Sequence, residues 1–284
     1  MTAPDFTFSQ HSIQDFLDCQ RRFLLRHVLR LAWPAAETDD QAAYELHQEQ
    51  GQAFHRCLQQ YFSGIPEEAI TSSITDELLA GWWRNFLAEA RGFPWNIAGS
   101  PPPGLMLLPE FTLTAHLGDH RVSAKYDLVA ALPGEHFWIY DWKTSRSIPP
   151  REKLELRVQT RLYSWLLAAA GSGLNAGTDI TPEQISMTYW YVQHPARPIS
   201  FAYSSDQFAA DRQQLGDLLD YIAGIPEADF RLTDDPVQCR FCTYRSYCER
   251  GFAPGVWTDL SGESDLSSVL DNLPEWEDSS PLEL

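Results

Sequence analysis

Basic residues are scarce in this 284-residue chain: 21 Lys and Arg stand against 39 Asp and Glu, a formal net charge of −18. Phosphate contacts rest on Lys and Arg, so this balance excludes a broad, non-specific duplex-binding surface. Any nucleic-acid site must be a local positive groove on an acidic body. Part of the imbalance is local, because residues 258–284 hold eight acidic residues and no basic one. No run of ~18 apolar residues is present to span a bilayer. The first residues lack the charged start and apolar run of a secretory leader, and no internal repeat is visible. The expectation is a soluble, cytoplasmic protein with no membrane partner. Cysteine is limited to five residues, and in that compartment closely spaced cysteines read as metal or cluster ligands rather than disulfides.

Hydrophobic residues, at 44 %, and aromatics, at 13 %, are plentiful enough for a sizeable packed core. Residues 1–250 are expected to form one domain. Residues 251–284 make an acidic, Ser-rich tail whose composition cannot bury much surface; it is expected to be disordered, and either to dock on a partner or to occupy a substrate groove. Residues 8–30 read as a helix with Ser12 and Asp15 at its start. Arg21, Arg22, Arg26 and Arg30 along it form either a solvated face or a phosphate-contacting edge. Further helices are expected at 40–62, carrying Gly51 and His55, and at 75–91. Cys57 reads as a small packed hydrophobe. A Pro- and Gly-rich break at 92–104 leads to a strand at 105–115 with Glu110 near its middle. Later elements are a helix at 151–170, strands at 185–193 and 198–203, and a helix at 207–223. The sum is an α/β fold with a mixed central sheet flanked by helices.

The chemistry concentrates in residues 120–143. Two strand-like runs flank Leu132-Pro133-Gly134-Glu135, and folding them about Gly134 sets Asp127 opposite Asp141 and Lys125 opposite Lys143. Opposed residues lie about 4.5–5.5 Å apart, so the two carboxylates repel unless a cation holds both or one takes a proton. Mg²⁺ suits such a pair, lowering the pKa of bound water and stabilising charge on phosphate. Lys143 shares the face of Asp141 and is placed to orient or deprotonate that water. On the following helix Gln159 and Tyr163, spaced i, i+4, share a face.

Cys19 and the run Cys239-x2-Cys242-x5-Cys248 form a second pattern. Four thiolates hold either Zn²⁺ or a [4Fe–4S] cluster, and spacing leaves that choice open. Either would clasp the N-terminal helix to the C-terminal part of the chain.

Taken in order, these motifs resemble the PD-(D/E)XK nuclease superfamily with its restriction-endonuclease-like core. The likeness is to the RecB-like branch with an iron–sulfur clasp, which includes AddB-type and CRISPR-associated nucleases. The resemblance runs from Phe8 to Cys248. It implies that His55, in G-x3-H, ligates Mg²⁺ or Mn²⁺ together with Asp127 and Asp141. Asp141-Trp142-Lys143 matches the D/E-x-K motif, and Gln159 with Tyr163 the Q-x3-Y motif. Alanine-led AKYD stands where the family usually has a glycine before Asp127. Glu110 matches a glutamate that many members carry. Cys19, Cys239, Cys242 and Cys248 match the ligands of a [4Fe–4S] cluster. The implied activity is metal-dependent hydrolysis of DNA, single-stranded and exonucleolytic, in repair, recombination or CRISPR adaptation, with a helicase or other repair protein as partner. The alternative is a catalytically silent DNA-binding or scaffolding subunit.

Overall fold

Leu132–Glu135 turns the chain as the sequence indicates. Gly134 adopts φ +80°, which only glycine takes at little cost, Glu135 N–H donates to the Leu132 carbonyl at 3.0 Å, and Gly134 N–H donates to Asn175 Oδ1 at 2.7 Å. The computed structural model describes residues 6–32, 39–95, 101–240 and 242–251, with 39–45 described for backbone only. The acidic tail lies outside the described residues, as do the roles expected of it. The turn joins β3 (His120–Leu132) to β4 (His136–Lys143), antiparallel with Leu128 opposite Tyr140. β2 (Met106–Leu117) runs antiparallel along the other edge of β3, and β1 (Thr7–Ser9) lies parallel beside residues 121–123. β5 (Ile185–Tyr191) is parallel to β4, and β6 (Ile199–Ala202) is antiparallel to β5. The result is a mixed six-stranded sheet.

One consequence positions everything else. Since β2 occupies one edge of β3, β1 and β4 share the other, the first beside residues 121–123 and the second beside 128–132. Between them, among the described residues, that edge of β3 has no strand partner. The described backbone carbonyl of Lys125 in this gap is satisfied from a helix instead, as shown below.

Helices cover both faces. α7 (Val158–Ala170) and α8 (Ser205–Gly224) pack Leu162, Leu166 and Leu219 against Val129, Ile139 and Met187. On the opposite face, α3 (Asp39–Phe62) and α5 (Glu77–Ala90) bring Phe54, Trp82, Trp83 and Phe86 onto Leu128, Tyr140, Trp142 and Trp190. α5 follows from its sequence: apolar residues at 79, 82, 83, 86 and 90 form one stripe, and Asp76 caps it by accepting Leu79 N–H at 2.8 Å. Each such buried aromatic contributes about 1.5–3 kcal/mol. No helix among the described residues is long and apolar enough to cross a membrane.

Several expectations need correction. A short helix, α4 (Glu67–Ser73), precedes α5 without having been expected. The expected helix at 8–30 is β1 followed by α1 (Gln10–Asp18), α2 (Gln20–Phe23) and a π-helical turn, Leu24–Val28. Ser9, not Ser12, is the N-cap; Ser12 completes a capping box by accepting Ser9 N–H at 2.9 Å. Cys19 breaks the helix with an extended backbone, φ −161°, ψ 107°. The helix expected at 151–170 breaks as well, into α6 (Arg151–Glu155) and α7, with Leu156 and Arg157 at the elbow. The arginine stripe is not one solvated face. Arg22 and Arg26 turn onto fully buried Asp15, each at 2.7 Å, because an isolated buried carboxylate needs compensating charge.

Candidate active site

In β2 and β3 the residues facing α7 change phase together. Met106 and Leu108 give way to Phe111, Leu113 and Ala115, while Val122, Ala124 and Tyr126 give way to Val129 and Ala131. The register is unbroken across the change, with Pro109 opposite Leu128 and Phe111 opposite Tyr126. Glu110 and Asp127 therefore face each other at a kink where ladder pairing lapses. Glu110 absorbs it with φ +54°, a left-handed conformation costly for a side chain with Cβ, and Pro109 is tolerated because β2 is an edge strand.

On β3, Asp127 stands next in register to Asp141 across the hairpin, as the sequence indicates, but the strands part there. The Asp127 carboxylate replaces the ladder partner and accepts Trp142 N–H at 2.8 Å. Helix α3 supplies His55. Gly51, one turn earlier, faces Thr144, and a Cβ there would meet Thr144 Oγ1 at 3.4 Å, an ordinary contact. A carbonyl can only accept, so His55 Nε2–H donates to the Trp142 carbonyl at 3.1 Å. In the neutral ring this leaves the Nδ1 lone pair facing Asp127 Oδ1 at 3.3 Å. Two acceptors at that distance require a proton or a cation between them. Donor atoms of His55, Glu110 and Asp127 all fall within 4.8 Å of one another. Ligating histidines typically donate their other N–H to a carbonyl in this way.

Asp141 is not part of that close group. Its Oδ2 lies 2.8 Å from Lys143 Nζ, and its Oδ1 accepts Gln159 Nε2–H at 2.5 Å. Lys143 also donates to Gln159 Oε1 at 3.2 Å, closing a ring of three side chains. Burial, foremost, pushes the Asp141 carboxyl upward, with Lys143 opposing and Asp127 adding to the rise. Burial also works to raise Asp127, but His55, the Trp142 N–H and Lys143 outweigh it and hold it low. Glu110 is raised by burial against the pull of Lys125. Tyr163 is bonded to the backbone of β3. Its hydroxyl donates to the Lys125 carbonyl at 2.9 Å in the open edge of β3, while Tyr126 O–H donates to the Tyr163 carbonyl at 3.0 Å. Lys125 pairs with Thr112 on β2 and reaches Glu110 at 2.7 Å; the β3–β4 ladder ends at Leu128 and Tyr140, before the level of Lys125 and Lys143.

The four cysteines expected to act together line one recess, along with Arg22, Arg245 and Arg250. Extended Cys19 is the residue at which the N-terminal helix opens toward it. Burial pushes the Cys242 thiol up to about 11, and raises Cys239 and Cys248. Arg22 and Arg250 oppose this, and Arg250 Nη1 lies 3.5 Å from Cys239 Sγ. Cys57 is buried in the α3–α5 core as expected. His11, Asp15 and His27 also converge, but Arg22 and Arg26 already occupy the Asp15 carboxylate, so that group is a charge network. No sequence pattern signalled it.

Over residues 7–249 the chain matches the family model of the PD-(D/E)XK nuclease superfamily. Among solved structures it is similar to a protein of Eubacterium rectale proposed to be an exonuclease. The two are 11 % identical, with 91 % of this chain and 94 % of that one covered and a TM-score of 0.51. It also matches SSO0001, at 14 % identity over 88 % of each chain with a TM-score of 0.38. At these identities the likeness to the Eubacterium rectale protein is one of fold. No curated protein matches in sequence.

Proposed function

Because the chain belongs to the PD-(D/E)XK nuclease superfamily, we propose that it is a metal-dependent deoxyribonuclease acting on single strands, with exonucleolytic cleavage in repair, recombination or CRISPR adaptation. The observation that carries the reading is the convergence of His55, Glu110 and Asp127 donor atoms within 4.8 Å of one another, with the Asp141–Lys143–Gln159 ring next in register. These residues fit Mg²⁺ or Mn²⁺: His55, Asp127 and Asp141 would hold the ion, with Glu110 as a further oxygen donor. When bound, such an ion activates water and stabilises charge on the phosphate. Lys143, held between Asp141 and Gln159, orients the attacking water and faces the negative charge that develops. Gln159 fixes both partners, and Tyr163 holds β3 and α7 at their working separation.

The recess lined by Cys19, Cys239, Cys242 and Cys248 fits a metal group, and a [4Fe–4S] cluster is favoured over zinc. The match of Cys19, Cys239, Cys242 and Cys248 to the cluster ligands of the RecB-like branch supports that preference. The arginines around the recess offset the negative charge of four thiolates. A helicase or other repair partner is part of the same reading.

The test is cleavage of end-labelled single-stranded DNA by anaerobically purified protein with Mn²⁺ or Mg²⁺. Wild type is expected to cleave, and Asp141→Ala and Lys143→Ala to lose activity by at least about 100-fold. Wild type that binds DNA with its cluster intact yet cleaves nothing with either metal would turn the reading to a silent subunit.

A further inference from the structure

Residues 143–161 carry six basic and two acidic residues in a chain of net charge −18. Arg151 donates to the Ser200 carbonyl at 2.8 Å and lies over the Phe201 ring, and Arg161 pairs with Asp211 at 2.6 Å. Arg157 is set apart by its position beside the site. It stands on the elbow between α6 and α7, two residues before Gln159. Its guanidinium carbon lies 6.0 Å from the centre of the Tyr189 ring, and Lys143 Nζ lies 5.6 Å from the same centre. The two cations are therefore no further apart than those distances added together. Tyr189 is opposite Asp141 in the β4–β5 ladder, so its ring lies beside the Asp141–Lys143 pair.

The elbow is rigid. Thr160 Oγ1 donates to the Leu154 carbonyl and bonds the Tyr189 hydroxyl at 2.8 Å, and Arg157 N–H donates to the Leu154 carbonyl at 3.2 Å. Beside Arg157, Leu156 is 74 % exposed, more than any other large hydrophobic residue described. A lone exposed leucine needs no explanation. One fixed next to an arginine at the rim of a nuclease site has the composition of a nucleotide contact.

We propose that Leu156–Arg157 is the contact surface for a single nucleic-acid strand: Arg157 takes the phosphate next to the one cleaved, and Leu156 lies against the adjoining base. The inference rests on the nuclease reading above. Single-strand grooves pair cations that follow the backbone with faces that receive unstacked bases. In a duplex the bases are stacked inside and Leu156 has no face to meet.

The experiment is anisotropy of a fluorescent oligothymidylate with full-length protein in EDTA, from about 50 to 200 mM KCl. Arg157→Gln is expected to lower the slope of log affinity against log salt by about 0.7, the value for one lost phosphate contact on a single strand. Arg157→Lys keeps the slope. Leu156→Ala weakens binding several-fold at every salt concentration with the slope unchanged. Arg121→Gln, at an exposed position near the start of β3, changes neither quantity. An unchanged slope for Arg157→Gln overturns the inference, as does wild-type affinity for Leu156→Ala. If Arg157→Gln melts early, exposed Leu156→Ala decides by itself. Wild type that cleaves while these variants bind normally overturns this inference alone. Wild type that neither cleaves nor binds a strand overturns the nuclease reading and the inference with it.

Discussion

At Glu110 the backbone works against the side chain. Its φ of +54° sits in the middle of a strand, and a left-handed conformation costs a residue with Cβ about 1–2 kcal/mol. Glu110→Gly and Glu110→Ala both remove the same oxygen donor, but only glycine relieves the backbone. The glycine variant should therefore be more stable than the alanine variant by about 1 kcal/mol in urea unfolding, while titration calorimetry finds equally weakened Mn²⁺ binding in both. Equal stabilities would show that the kink stores no strain.

His11 supports a prediction about pH. Arg26 Nη1 donates to its Nε2 at 2.9 Å, a bond only neutral imidazole accepts. Burial, foremost, lowers its pKa to about 4 against the pull of Asp15. A lowered folded value means that this contribution to stability is complete above the unfolded pKa of ~6.5 and is lost as pH falls toward the folded one. Asp15 does not contribute in that window. Burial raises its pKa, but His27, Arg22 and Arg26 outweigh burial and hold it well below the usual range, and an unfolded aspartate titrates only near ~3.9. Between pH 6.5 and 4 the wild-type melting temperature should fall more steeply than that of His11→Gln, by the equivalent of at most about 3 kcal/mol. His47 and His136, also lowered by burial, contribute alike to both proteins. Parallel melting curves would dismiss the argument.

Among the elements, the unpartnered edge of β3 explains what the Q-x3-Y tyrosine does. Tyr163 O–H takes the place of a neighbouring strand at the Lys125 carbonyl. Tyr163→Phe keeps the ring and removes the donor, leaving a carbonyl in the gap without its bond. That costs about 1–3 kcal/mol, and single-turnover cleavage should slow while Mn²⁺ affinity holds. A loss of metal affinity with unchanged stability would instead put Tyr163 at the ion. The hairpin, its turn and the Asp127–Asp141 register were readable in the sequence, because period-two alternation and a glycine turn are local signals. Gly51–His55 and Gln159–Tyr163 were readable because one helical turn sets their spacing. The phase change at Glu110 and Asp127 was not, since it occurs in two strands at once and preserves register. The Asp15 network was also hidden, because nothing local distinguishes arginines facing solvent from arginines facing one buried carboxylate. The break at Cys19 reflects tertiary demand, the helix giving way where Cys19 lines the recess it shares with Cys239, Cys242 and Cys248.

The clasp joins parts of the chain that local structure cannot hold together. Arg21 N–H donates to the Arg231 carbonyl at 2.9 Å, Arg22 reaches Gln238 at 3.2 Å, and Tyr244 O–H donates to the Leu31 carbonyl at 2.9 Å. Those bonds are few, and each is worth only about 0.5–1.5 kcal/mol. The proposed metal group, bonded to Cys19 on one side and to Cys239, Cys242 and Cys248 on the other, would close a loop of over two hundred residues. A cross-link of that span removes about 5 kcal/mol of unfolded-chain entropy in the chain-entropy account, several times any one of the hydrogen bonds. The catalytic centre uses none of these cysteines, yet α1 packs on α7, the helix that carries Gln159, so loosening the N-terminal segment reaches the site through packing. On the cluster reading proposed above, Cys248→Ala should lose iron and melt well below wild type, with activity falling as a secondary effect. Cys57→Ala, in the other core, should keep its iron and lose only the cost of a small cavity. Iron content measured beside melting temperature on both variants separates the cases. A Cys248→Ala protein that retains iron and melts like wild type would mean that the clasp is held by its hydrogen bonds and aromatic contacts alone.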